Sequence, residues 1–163
     1  MQVPSVTFKT RVRDDSIDGP NPFRWQDRTS EEIFKGRKVV IFALPGAFTP
    51  TCSAKHLPGF IKNADAIKAK GVDEIACVSV NDAFVMDAWG TSQNAGDAVA
   101  MLADGSAIFA NELGLGLDLV SKGMGPRSQR YAMIVDDGTV SVLNVEEAGA
   151  FDVSSAEAIL AAL

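Results

Sequence analysis

The chain is poor in the residues from which many functional sites are built. Its 163 residues include two cysteines, one histidine and one tyrosine. Two cysteines are too few for the disulfide framework of a small secreted domain. With His56 as its one histidine, the chain cannot assemble a Cys₄, Cys₂His₂ or His₃ zinc site. No classical zinc site is therefore expected. Positive charge is also scarce. Fifteen Lys and Arg stand against 21 Asp and Glu, for a net charge of −6. That balance argues against nucleic acid as a partner and against anionic membranes. No apolar run approaches the length of a membrane span. The opening MQVPSVTFKT has no basic stretch followed by an apolar one, so a cytoplasmic protein is expected. Internal repeats, low-complexity tracts and long linkers are missing as well.

What is present suffices for one well-packed unit. With 47% apolar residues, a single domain over residues 1–163 can bury its own core. The first thirty residues are rich in turns and read as short extended pieces in a hairpin-like excursion. Thr29 and Glu32 form a capping box for a short helix ending near Gly36. Lys38 to Leu44 is a continuous apolar run, as in a strand buried on both faces. A helix is expected from Cys52 to Lys70, with a kink or break at Pro58-Gly59. Glu74 to Val80 is a second buried strand, and Asn81 or Asp82 caps the next helix, which runs to about Thr91. Ala98 to Leu102 is a third strand. Ser106 to Leu113 is helical and stops at Gly114, so Gly114-x-Gly116 reads as a turn after a helix rather than a phosphate loop. A loop covers Ser121 to Arg130. Tyr131 to Val135 and Thr139 to Asn144 are strands joined by the hairpin turn Asp137-Gly138. Ser154 and Glu157 form a capping box for a last helix. This order gives an α/β fold, a mixed central sheet flanked by helices.

In such sheets active sites gather beyond the carboxyl ends of the parallel strands. There the chain reads Pro45-Gly46-Ala47-Phe48-Thr49-Pro50-Thr51-Cys52. A thiol at a helix start feels unpaired backbone N–H groups and the positive end of the helix dipole, which favours thiolate. Thr49-Pro50-Thr51-Cys52 keeps the spacing of a Cys-x-x-Cys pair with a hydroxyl in place of the first thiol. A hydroxyl forms no disulfide, so dithiol exchange gives way to oxidation of a single thiol. Thr49 reads both as a helix cap and as a group that hydrogen-bonds at the sulfur. His56, four residues after Cys52, shares its helix face; it reads first as a structural residue, with general base as the alternative. Cys77 lies mid-strand among Ile75, Ala76, Val78 and Val80 and reads as a core thiol. A resolving role for it would require a rigid strand to distort.

The run PGAFTPTCSAKHLPG from Pro45 to Gly59 resembles the peroxiredoxins, whose motif is P-x-x-x-T-x-x-C, and within them the type II, peroxiredoxin-five-like branch. The segments from Val80 to Trp89, from Met101 to Gly105 and from Gly125 to Tyr131 resemble the same branch. The resemblance implies a thioredoxin-like fold and reduction of hydrogen peroxide and alkyl hydroperoxides. It implies Pro45, Thr49, Cys52 and Arg127 as catalytic residues, acting with no metal and no cofactor. Spacing alone leaves Arg127, Arg130 and Lys122 open for the cation. A cation is needed because a free cysteine is already a few per cent thiolate at neutral pH, so full ionisation gains at most about thirtyfold, or roughly 2 kcal/mol. A fast peroxidase has to stabilise charge on the departing oxygen as well. Some relatives carry a resolving cysteine in a C-terminal loop, which this chain lacks. The resemblance then implies recycling by an external thiol, either glutathione with glutaredoxin or thioredoxin. It also implies a homodimer, with Phe48 as an interface candidate. A non-enzymatic redox sensor or holdase that uses Cys52 oxidation is the alternative from another class.

Overall fold

The computed structural model describes the whole chain, residues 1–163. The first two strands, β1 (Thr7–Arg13) and β2 (Phe23–Thr29), pair antiparallel along their full length, so the turn-rich N-terminal region is a regular hairpin. Thr29 then caps α1 (Ser30–Phe34): its hydroxyl oxygen accepts from the N–H of Glu32 at 3.2 Å. Strand β3 (Lys38–Leu44) lies where the apolar run predicts it. Strands β4 (Glu74–Ser79) and β5 (Ala100–Ala103) continue the parallel part of the sheet, and β4 pairs in register with β3 from Val39↔Glu74 to Leu44↔Ser79.

The expected helix from Cys52 to Lys70 is three pieces. A π-helical turn spans Cys52–His56, followed by α2 (Leu57–Lys62) and α3 (Ala64–Ala69). The irregularity expected at Pro58-Gly59 sits one turn earlier, and the break falls at Asn63. The reason is local. Pro58 occupies the first turn of α2, where a missing N–H costs little. The preceding turn widens instead, with the N–H of Leu57 donating to the carbonyl of Cys52 five residues back. Helix α4 (Ala83–Ser92) is capped by Asp82, which accepts from the N–H of Val85 at 2.9 Å.

Beyond α5 (Ile108–Glu112) the expected loop is partly strand. β6 (Gly116–Leu119) and β7 (Gly125–Ser128) form a separate two-stranded ribbon. Each strand is only four residues long. Pro126 lies in a two-stranded ribbon where one strand edge needs no donor; Leu117 and Leu119 alternate with Gly116 and Asp118 in β6, but GPRS in β7 carries no apolar alternation. β8 (Tyr131–Asp136) and β9 (Thr139–Val145) complete the main sheet, and α6 (Ala156–Ala162) closes the chain. The cap of α6 is Ser155, not Ser154: Ser155 accepts from the N–H of Ala158, because Ser154 is drawn into another network.

The seven strands run in the order β2-β1-β5-β4-β3-β8-β9. β3 alternates its side chains between two apolar layers. Val40, Phe42 and Leu44 face the layer built with Leu57, Phe60 and Trp89. Val39, Ile41 and Ala43 face Phe8, Ile33 and Phe109. The fold is the thioredoxin-like arrangement expected from the sequence, with the carboxyl ends of β3 and β4 side by side.

The β8–β9 turn tests local conformational strain away from the site. Asp137 and Gly138 both have positive φ, +47° and +79°, as a two-residue hairpin turn of this type requires. Gly138→Ala is expected to destabilise the protein by about 1 kcal/mol and lower Tm by about 2–4 °C. Thermal unfolding followed by circular dichroism checks this.

Candidate active site

Strand β3 ends at Leu44, and the chain crosses from Pro45 to Thr49 before turning helical at Pro50. Asn81, at the end of β4, steers this crossing. Its side-chain oxygen accepts from the N–H of Ala47 at 2.9 Å and from the hydroxyl of Ser79 at 2.6 Å. Phe48 takes a positive φ of +63°, which reverses the chain. A larger residue at Gly46 would have to displace the Arg127 side chain: a Cβ there would sit 2.7 Å from Nη1 of Arg127 and 3.2 Å from the methyl carbon of Thr49.

Pro50 is the first helical residue, and the carbonyl of Thr49 accepts the first helical bond, from Ser53 at 2.9 Å. Cys52 therefore lies in the first turn, among N–H groups without intrahelical partners. The hydroxyl of Thr49 does not cap the helix. It donates to the carbonyl of Gly46 at 2.6 Å. With its proton committed there, Oγ1 is left as an acceptor. On the far side the indole N–H of Trp89 donates to Ser53 at 3.0 Å, which pins the helix start to α4.

Cys52 is fully buried. The cation at its sulfur is Arg130, whose Nη2 donates to Sγ at 3.2 Å. The expected Arg127 is elsewhere: its Nε donates to the carbonyl of Met124 at 2.9 Å and its Nη1 to the carbonyl of Pro45 at 3.3 Å. Arg127 thus holds the loop, while Arg130 meets the thiol. The physical reason lies in the sheet. β8 runs antiparallel to β3 with Ala43 opposite Tyr131, so the residue just before β8 arrives beside the carboxyl end of β3. Cys52, Thr49 and Pro45 are brought to that end as expected, and Arg130 replaces Arg127 as the group on the sulfur.

The other terminal nitrogen of Arg130, Nη1, lies 2.8 Å from Nδ1 of His56. His56 is fully buried, and its Nε2 lies 3.0 Å from the carbonyl of Ser154. A carbonyl only accepts, so Nε2 carries the proton and Nδ1 accepts from Arg130. Burial first, and the Arg130 charge second, push the His56 pKa down to about 3. A neutral ring whose one lone pair is engaged by a guanidinium is not a general base, so the structural reading of His56 holds. Its ring packs against Phe42, Phe60 and Phe151, with centroids 4.9, 5.6 and 5.0 Å away.

Cys77 lies mid-β4, opposite Phe42 and fully buried. Burial, with nearby Cys52 adding to it, pushes its thiol well up. Both cysteines are free thiols. A cleft of about 360 Å³ opens beside the loop, lined by Pro45, Thr51, Leu117, Leu119, Lys122 and Arg130 among others. A larger cleft, about 860 Å³, lies between β1 and α4, away from Cys52. Its charged walls are satisfied internally, with Arg11 on Asp87 and Arg28 on Glu74, both at 2.8 Å.

The buried neutral histidine makes stability depend on acid. The unfolded chain protonates His56 near its ordinary value of 6.5, the folded one only near 3. The unfolded state therefore binds more protons between these values, and stability falls as the pH is lowered through that window, by up to roughly 1.4 kcal/mol per pH unit. Urea midpoints are expected to decline from pH 6.5 towards 4, and His56→Gln to flatten that decline by up to one proton.

Similarity to known proteins agrees with this geometry. The Redoxin family model matches residues 24–160. The chain is 52% identical to Peroxiredoxin sll1621 of Synechocystis over 89% of its own length and 76% of that protein's. It is 60% identical to the chloroplastic Peroxiredoxin-2E-2 of Oryza sativa, covering 83% of this chain and 61% of that longer protein. Among solved structures, reduced Prx3 of Vibrio vulnificus in complex with hydrogen peroxide superposes with a TM-score of 0.87 at 52% identity, over 99% of this chain and 92% of that one. A cysteine at a helix start beyond β3, met by the arginine just before β8, in a chain of these similarities, makes this protein a thiol peroxidase of the peroxiredoxin family, type II branch.

Proposed function

We propose that this chain reduces hydrogen peroxide and alkyl hydroperoxides through Cys52, with an external thiol as reductant. The observation that carries this reading is the 3.2 Å hydrogen bond from Arg130 to the sulfur of Cys52. The Cys52 thiolate attacks the terminal oxygen of the peroxide. An S–O bond forms, the O–O bond breaks, and its electron pair leaves on the distal oxygen, which takes a proton and departs as water or alcohol. Sulfur is oxidised by two electrons to a sulfenic acid. Arg130 bears a fixed positive charge and stabilises the negative charge spread over sulfur and oxygens in the transition state. Thr49, with its own proton on Gly46, accepts the peroxide O–H and orients it. Pro45 and Arg130 both line the cleft beside the active-site loop, which is the route this reading assigns to the substrate. Leu117 and Leu119 in the same cleft give an alkyl group apolar contact.

Recycling needs two thiols. The first condenses with the sulfenic acid, releasing water and leaving a mixed disulfide. The second attacks that disulfide and restores Cys52. Glutathione with glutaredoxin, or thioredoxin, supplies them. A resolving role for Cys77 is disfavoured by its place in the middle of a central strand. Two free thiols suit a reducing compartment such as the cytoplasm. A homodimer through the active-site edge belongs to the same reading, supported by Phe48, an aromatic ring 56% exposed on that loop.

Peroxide consumption by the pure protein tests this, with glutathione plus glutaredoxin in one assay and thioredoxin plus its reductase in another. Turnover in either is expected. Cys52→Ser should abolish it, and Cys77→Ser should retain most of it. A folded Cys77→Ser protein that is oxidised once and never recycled would contradict the external-thiol mechanism.

A further inference from the structure

The segment between β9 and α6 folds back against the active site. Of its three carboxylates, Glu146, Glu147 and Asp152, one is buried and has no part in the chemistry at Cys52. Glu146 is 9% exposed and forms no ion pair with lysine or arginine. Instead a single oxygen, Oε2, accepts from the N–H of Asp152, from the N–H of Ser154 at 2.9 Å and from the Ser154 hydroxyl at 2.7 Å. Burial by itself would raise its carboxyl, but Ser154 and the backbone N–H groups outweigh it and hold Glu146 below the ordinary carboxylate value. It is an anion that ties one short loop shut.

That loop is part of a closed circuit of hydrogen bonds. Glu146 holds Ser154 by both its N–H and its hydroxyl. The carbonyl of Ser154 accepts from Nε2 of His56 at 3.0 Å. Nδ1 of His56 accepts from Nη1 of Arg130 at 2.8 Å. The circuit closes where the backbone N–H of Glu146 donates to the carbonyl of Arg130 at 2.9 Å. Every donor and acceptor in the ring has one assignment. Were Ser154 to turn its carbonyl away, His56 would lose the bond that keeps its proton on Nε2. A proton on Nδ1 would then face a guanidinium N–H, donor against donor.

We propose that Glu146 is a positioning residue for the catalytic arginine. By anchoring Ser154 it fixes the Nε2–H tautomer of His56, and His56 then holds one nitrogen of Arg130 and leaves Nη2 for the sulfur of Cys52. The kinetic consequence rests on the peroxidase reading; the tautomer does not. Glu146→Gln keeps an oxygen able to accept from Ser154, whereas Glu146→Leu does not.

The experiment measures three quantities on the wild-type protein and both variants: Tm, the His56 ring resonances by ¹H–¹⁵N NMR, and the second-order rate constant for oxidation of Cys52 by hydrogen peroxide. Wild type is expected to show the Nε2–H tautomer at neutral pH. Glu146→Leu is expected to lose it and to react about ten- to a hundredfold more slowly, the size of effect that a small misplacement of a catalytic group produces. Glu146→Gln should restore both. A Glu146→Leu protein with lowered Tm but native tautomer and native rate would overturn the proposal, reducing Glu146 to a loop anchor. Should that variant fail to fold, Glu146→Asp decides in its place, because its shorter side chain withdraws the oxygen from Ser154: a native tautomer and rate there would equally overturn the proposal. A wild-type protein that peroxide does not oxidise would sink the peroxidase reading instead, and the His56 resonances alone would then judge the positioning role.

Discussion

Negative charge on a sulfur with no exposure to water has no solvent to stabilise it, and in this protein the Arg130 guanidinium at 3.2 Å takes that part. The arrangement works only if the guanidinium is held still, since a mobile cation would have to reorganise as the O–O bond breaks. Its two terminal nitrogens are therefore divided. One is bound to His56, the other to Cys52. Three features of the fold maintain that division.

The sheet supplies the first requirement. β3 and β8 are antiparallel neighbours, so the end of one and the start of the other meet, and Cys52 and Arg130 approach although 78 residues separate them. The π-helical turn supplies the second. Cys52 and His56 are its first and last residues, and the widened turn directs both side chains at one guanidinium. Such turns recur at functional sites, where the extra residue changes the direction in which neighbouring side chains point. Burial supplies the third. His56 stays neutral because water is excluded around it, and a neutral ring can accept from arginine where a protonated one would repel it.

Much of this is legible in the sequence, and the failures share a cause. The strands from Lys38 and Glu74, the Asp137-Gly138 turn and the thiol at a helix start all arise from short-range patterns, and each stands where expected. The resemblance points to Arg127 and spacing leaves Arg127, Arg130 and Lys122 open, but the arginine on the sulfur is Arg130, because position along the chain carries no information about which strand lies next to β3. The antiparallel β3–β8 pairing is the missing signal, and it points to the residue just before Tyr131. Ser154 resembles a helix cap for a similar reason. A capping box is a local pattern, and Glu146, eight residues upstream, competes for the same serine. The β6–β7 ribbon escapes because both strands are four residues long and open on glycine, and the leucine alternation of β6 has no counterpart in the Gly125–Ser128 segment that pairs with it.

The most direct test of this account compares the two arginines in a single turnover. The rate constant for oxidation of Cys52 by hydrogen peroxide would be measured by stopped flow in Arg130→Met and Arg127→Met. Loss of a donor aimed at the transition state lowers the rate by about a hundred- to a thousandfold, and that loss is expected for Arg130→Met. Arg127→Met, which removes only a loop contact, should stay within about tenfold of the native rate. A native rate in Arg130→Met together with a collapsed rate in Arg127→Met would contradict the assignment of Arg130 as the cation on the sulfur.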